Sequence, residues 1–300
     1  MSRSFIAHDG ALLVVQALLV VLPGAGVPAW AARLRRGAWA LVVPLSLVVV
    51  IGAIELLPDT ADALTWLALV AVPLLAAAAL GWAMRGARPW LALLAAPLLA
   101  AAWSHPDALA GQGATLALEA LSCVTLGRLL AGVAPAPLLR WGIVVMAVID
   151  SILVFSHGLH APNAVLEAAV PAPGLPRLQF VQLGGVSFGY GDLFAAAVLG
   201  GLLAAERRPR ALVAFLTFTL AAAFDLLFLV TNELPATVPV ACAMLLGDAA
   251  RRRGLARPRA VRGPARRRQA ELVETVDGLR APRDAELAVD GTDVRLDGRA

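Results

Sequence analysis

Four carboxyl side chains stand inside long apolar stretches of this chain: Glu119, Asp150, Asp192 and Asp225. An ionisable group at membrane depth is costly to bury and usually marks function. Two of the four can meet. Asp150, in MAVIDSILVF, lies near the end of one apolar run, and Asp192, in SFGYGDLFAAAVLGG, lies in the first half of the next. Both therefore approach from one connecting loop on consecutive antiparallel helices. Two carboxylates in a low-dielectric site cannot both ionise easily, so such a pair shares a proton. Peptide hydrolysis by a carboxyl pair uses that state: one carboxylate activates water while its protonated neighbour polarises the peptide carbonyl.

The residues ahead of Asp192 fit the same chemistry. Gly189 and Gly191 flank Tyr190, with Gly184 and Gly185 shortly before. Glycine lowers helix propensity by about 1 kcal/mol per residue, and it lacks the Cβ that keeps another backbone away. Such a segment can stay extended and offer backbone groups to an unfolded substrate strand by β-augmentation. Backbone of this kind is tolerated in a membrane only where it faces protein or a wet cavity.

The elements that must position these residues are membrane helices. The chain has 300 residues, 60% hydrophobic and 15% charged, with a mean hydropathy of +0.78. Soluble chains run about 45–50% apolar and about 25% charged. The apolar residues come in unbroken runs, and about 20 such residues in a helix cross a hydrocarbon core of about 30 Å. The alternation of a membrane β-barrel is missing. Cys123 and Cys242 sit inside apolar runs, which excludes a secreted disulfide scaffold. The expected fold is an all-α polytopic membrane protein of about nine transmembrane helices, near 10–30, 38–57, 63–84, 89–103, 114–133, 137–155, 179–205, 211–230 and 235–249. No cleavable signal peptide is expected. The transmembrane domain fills 1–250, its chemistry concentrated in about 137–249.

Two independent patterns support these borders. All seven tryptophans, at 30, 39, 66, 82, 90, 103 and 141, fall near a proposed helix end, where an indole is half buried with its N–H wet. The loops after the first, third, fifth and seventh runs carry Arg33/Arg35/Arg36, Arg85/Arg88, Arg140 and Arg207/Arg208/Arg210; the loops after the second, fourth and eighth carry acids and no arginine, and the loop after the sixth carries only Arg177. Arginine-rich loops stay in the cytoplasm. A cell-membrane protein is expected with its N-terminus outside and its C-terminus in the cytoplasm.

All 25 basic residues are arginine, and nine of them fall between Arg251 and Arg268. Next to a membrane helix this cluster implies anionic lipid as partner. No nucleic acid is expected, since the tail has no aromatic residue to stack on bases. Beyond that cluster, 251–300 turns to mixed charge with little apolar surface, which predicts a disordered cytoplasmic tail.

Gly189-Tyr190-Gly191-Asp192, with Leu193-Phe194 after it, resembles the G-x-G-D signature of the presenilin and signal-peptide-peptidase family of intramembrane aspartyl proteases. Asp150 in the preceding run matches the family's other aspartate. Pro235-Ala236-Thr237, opening the last run, resembles the family's P-A-L motif. The similarity covers about 140–245. It implies a presenilin-like fold and an aspartic endopeptidase that hydrolyses peptide bonds of transmembrane helices. Asp150 and Asp192 would be catalytic, and Gly189, Tyr190, Gly191, Pro235, Ala236 and Thr237 would bind substrate, with no metal or cofactor. In the family, signal peptide peptidases keep the loop between the aspartates outside, as expected here for the segment after Phe155, and act on type II substrates. This chain departs from the pattern at Ile149, where the family has tyrosine, and at Thr237, where it has leucine. The resemblance predicts that Thr237→Leu keeps or raises activity.

Two other classes use similar residues. Prepilin peptidases also carry a G-x-G-D aspartate but usually have a lysine after it, and this chain has no lysine. A proton-coupled transporter would need Asp150 and Asp192 for solute flux and would cleave nothing. Of the remaining polar residues, Glu119 is expected to pair within the bundle, Asp225 to bond a neighbouring helix, and Arg128 to reach the cytoplasmic interface. His157 and His160 lack a third ligand and the spacing of a zinc protease, so loop histidines without metal are expected.

Overall fold

A computed structural model describes residues 3–57, 59–156, 158, 160–169, 171–172, 174–183, 186–229 and 234–253. All belong to one compact unit, Met1–Ala256; the second unit, Arg257–Ala300, and with it most of the expected tail, lies outside the described residues.

The architecture is helical. In chain order the helices are α1 (Arg3–Val21), α2 (Ala29–Ala32), α3 (Gly37–Leu56), α4 (Thr60–Ala83), α5 (Pro89–Ser104), α6 (Leu109–Val133), α7 (Ala136–Phe155), α8 (His160–Ala168), α9 (Tyr190–Ala205), α10 (Ala211–Asp225) and α11 (Thr237–Arg252). One antiparallel hairpin stands before α9: β1 (Phe180–Leu183) pairs with β2 (Val186–Gly189), Phe180 opposite Gly189 and Leu183 opposite Val186.

Four helices, α3, α4, α6 and α7, are long and apolar enough to cross a membrane; α5, α9, α10 and residues Gly10–Val21 of α1 are apolar but shorter. The nine expected crossings are thus met at full length by four. Local chemistry accounts for several of the shorter ones. The first run ends at Val21 rather than Trp30, because Pro23 leaves the helix to form an isolated bridge with Met84 and Pro28 precedes the separate turn of α2. The seventh run begins as strand, and its helix starts only at Tyr190. The loop after Phe155 carries α8, a helix the apolar pattern did not predict.

The core is built around α9, in which every residue from Leu193 to Ala204 is buried. The sequence of α9 explains why. Lipid tails are as apolar as leucine, so membrane helices associate where small residues let backbones approach. Ala195, Ala196, Ala197, Gly200, Gly201 and Ala204 give α9 small faces on several sides. A Cβ on Gly127 of α6 would collide with the Ala197 carbonyl, and one on Gly201 would collide with the Gly127 carbonyl. The α6–α9 contact is therefore backbone against backbone. Six of the seven tryptophans are largely exposed on the outer surface, as interfacial rings would be.

Candidate active site

Asp150 is set by α7, which opens with Pro135 before it and Pro137 in its first turn, where a missing N–H is harmless. Asp192 is set by the first turn of α9, three residues after Gly189, the residue that caps the helix in extended conformation. The glycine-rich stretch stops the helix from starting earlier, and so decides where the carboxyl stands.

The two helices run antiparallel, and rise per residue gives the level of each acid. Asp150 is 14 residues after Ala136, about 21 Å along α7. Asp192 is 13 residues before Ala205, about 20 Å along α9 from its other end. Each acid thus stands about 20 Å from the arginine-bearing end of its own helix. A Cβ placed on Gly191 would lie 3.4 Å from Cε of Met146, one turn before Asp150 on α7.

Each carboxyl is tethered through one oxygen. The Thr237 hydroxyl donates to Asp150 Oδ2 at 2.6 Å, with the Thr237 backbone N–H at 3.4 Å from the same atom. The Gly189 N–H donates to Asp192 Oδ2 at 3.2 Å, the pairing that satisfies an otherwise orphan amide at a helix start. Among the described residues, neither Oδ1 takes a hydrogen bond. Asp150 is 6% exposed and Asp192 is half-buried. One oxygen of each acid thus remains for water, substrate or the opposite carboxyl.

The structure brings Thr237 to Asp150 and Gly189 to Asp192, and sets Gly191 against Met146 of α7. Pro235 is buried beside them, and the Ala236 carbonyl accepts from Gln16 Nε2 at 3.0 Å. Thr237 is more than a stand-in for an alkyl side chain, because its hydroxyl is a donor to Asp150; that removes the ground for expecting leucine to serve as well. Tyr190 turns toward α6, where its Oη lies 2.8 Å from Ser122 Oγ. Ser122 Oγ donates to the Glu119 carbonyl at 2.7 Å, so its single proton is used and Tyr190 is the donor between the two hydroxyls. Tyr190 therefore anchors the glycine segment to α6. Gly184 and Gly185 lie outside the described residues.

Two supporting residues escaped the sequence pattern, Gln16 and Ser122. Gln16 carried a signal: it is the only polar side chain in ALLVVQALLVV, and it is 1% exposed. One expectation needs correction. Glu119 is fully buried, but neither carboxyl oxygen has a hydrogen-bond partner among the described residues. Arg128, partly exposed, reaches the turn that follows α1 and the end of α4. Its guanidinium bonds the carbonyls of Gly26 (2.6 Å), Ala25 (3.0 Å) and Trp82 and stacks 4.1 Å over the Trp82 ring, because the chain turn after α1 folds back over it. His157 lies outside the described residues, as does the side chain of His160. No group of three histidine, cysteine or acidic side chains among the described residues can hold a metal.

At the opposite end of the same helices lies a four-charge cluster. Arg140 of α7 meets both carboxylate oxygens of Glu206 at 2.6 Å and approaches Asp248 of α11 at 3.2 Å, while Arg208 also bonds Asp248. From Arg140 to Asp150 is about 15 Å along α7, and from Asp248 to Thr237 about 16 Å along α11. These near-equal spans mean that α7 and α11 are joined in register at two levels, by ions at one end and by the Thr237–Asp150 bond at the other.

Comparison of the chain with family models, with curated proteins and with solved structures gives no match.

Proposed function

We propose that this chain is an intramembrane aspartyl protease in which Asp150 and Asp192 act as one catalytic pair. The observation that carries this reading is the pair itself: two acids on adjacent helices, each about 20 Å from the arginine-bearing end of its helix and each tethered by one oxygen, beside an extended strand that ends at Gly189. In the reaction, one carboxylate takes a proton from water as the oxygen attacks the peptide carbon. The other carboxyl donates its proton to the carbonyl oxygen. Collapse of the tetrahedral intermediate returns that proton and protonates the leaving nitrogen.

The strand supports a peptide substrate in preference to a solute. A transmembrane helix has all its backbone bonds satisfied internally, so its cleavage first requires local unwinding. A glycine-rich strand offers the unwound stretch replacement partners. Gly189, Tyr190 and Gly191 form one wall of that site in this reading, and Pro235, Ala236 and Thr237 form the other.

The wider reading is a presenilin-like bundle of nine crossings, the four shorter apolar helices and α11 included. Arginine-bearing loops face the cytoplasm and the N-terminus lies outside. The loop after Phe155 then opens outward, the pair is reached from the outer half of the membrane, and substrates have type II orientation. The arginine cluster from Arg251 onward meets anionic lipid. Incubation of detergent-purified protein with a transmembrane peptide, followed by mass spectrometry for new termini, tests the activity. A proton-coupled transporter would give Asp-dependent solute flux and no new termini.

A further inference from the structure

A groove of about 490 Å³ lies between the arginine-bearing ends of α7 and α11, away from the two aspartates. Arg140, Trp141 and Val144 line it from α7, and Leu245, Arg251 and Arg252 from α11. Its charges do not cancel. Glu206 and Asp248 are matched by Arg140 and Arg208 within the ion cluster. Arg251 and Arg252, in the last turn of α11, are exposed and make no ion pair among the described residues. Beside them Trp141 is 67% exposed and Leu245 53% exposed, and exposed Val145 and Val148 continue the apolar surface along α7.

We infer that this groove binds the headgroup of an anionic phospholipid. The inference rests on the reading of the chain as a membrane bundle with these helix ends at the bilayer face. The observations that select this occupant are the two unmatched guanidiniums and the order of the surface. Arginine recognises phosphate oxygens in a bidentate fork. The indole of Trp141 sits at headgroup level, and the aliphatic face beyond it suits acyl chains. One negative end and one long apolar end are what a phosphatidylglycerol-like lipid presents. A zwitterionic lipid would bring its own cation to a site already rich in arginine. The bound lipid would bridge α7 and α11, the helices that carry Asp150 and Thr237.

Quenching of Trp141 tests this in the full chain reconstituted in vesicles, with Trp141→Phe defining its share of the emission. Phosphatidylcholine vesicles receive a small fraction of either phosphatidylglycerol or phosphatidylcholine brominated on the acyl chains. Arginine near a membrane surface contributes enough that two residues are worth about tenfold or more in lipid affinity. Brominated phosphatidylglycerol should therefore quench Trp141 at about tenfold lower mole fraction than brominated phosphatidylcholine. Arg251→Gln with Arg252→Gln should remove the preference, and glutamine at Arg257, Arg259, Arg262, Arg266, Arg267 and Arg268 should leave it. Inorganic phosphate should not compete. Equal quenching in the wild type, competition by free phosphate, or loss of preference only in the tail variant would overturn the inference. Quenching by neither lipid would overturn the membrane reading with it. Proteolysis plays no part in the readout, so a failed protease assignment would show separately.

Discussion

Thr237 Oγ1 donates to Asp150 Oδ2 at 2.6 Å, joining the first turn of α11 to the acid on α7. The bond fixes one carboxyl oxygen and leaves the other free, which is how a general acid or base must be held if its working oxygen is to point one way. A hydrogen bond to a carboxyl group contributes about 1.5–3 kcal/mol when the group is charged. Thr237→Leu should therefore lower kcat about tenfold or more with little change in KM, while Thr237→Ser, which keeps the hydroxyl, should stay within a few-fold of wild type. Steady-state cleavage of a fluorogenic transmembrane peptide measures both. Full activity in Thr237→Leu would show that the bond is dispensable.

Gln16 holds the segment that presents Thr237. Its amide donates to the Ala236 carbonyl at 3.0 Å from inside α1. Gln16→Leu leaves that carbonyl unpaired in a partly buried setting, a loss of about 1 kcal/mol. The variant should melt lower in detergent and lose activity along with Thr237→Leu. Combining the two should cost less than the sum, because both act on one segment.

Glu119 makes an opposite prediction. Its carboxyl is fully buried without a hydrogen-bond partner among the described residues, a state that costs about 1–3 kcal/mol. Leucine fills a similar volume with no polar atom. Glu119→Leu should raise the melting temperature and leave Asp150 and Asp192 in place. A fall in melting temperature would mean that Glu119 is satisfied in the folded protein.

Much of this site was legible in the sequence because few residue types are tolerated in its setting. An aspartate in an apolar run is conspicuous, and the Gly-Tyr-Gly break before Asp192 announced an extended start that the hairpin and the onset of α9 bear out. The level of Asp150 followed from counting residues. What the sequence hid was pairing across the fold. Nothing local links Gln16 to Ala236, or Ser122 to Tyr190, since the partners are 220 and 68 residues apart. Thr237 was legible as a departure from a motif, but its bond to Asp150 depends on how α7 and α11 are aligned by the ion cluster at their far ends. Hydropathy also overcounted full-length crossings, because it cannot see where proline and glycine end a helix inside an apolar run.

In the proposed reaction the pair shares one proton, and the pH profile follows from that. One carboxyl must be ionised to activate water and the other protonated to polarise the carbonyl, so both fully protonated and fully ionised pairs are inactive. Peptide cleavage should fall on both sides of an optimum. A rate that climbs steadily with pH would point to a single base in place of a pair.

The most direct measurement is cleavage of a transmembrane peptide by wild type, Asp150→Ala, Asp192→Ala and the double variant, each purified and confirmed folded by its melting curve, with products identified by mass spectrometry. The pair should behave as one unit: new termini in the wild type, none above background in either single variant, and the double variant no worse than each single. Substantial cleavage by either single alanine variant, or a folded wild type that releases no fragment while conducting a solute in an Asp150- and Asp192-dependent way, would contradict the account.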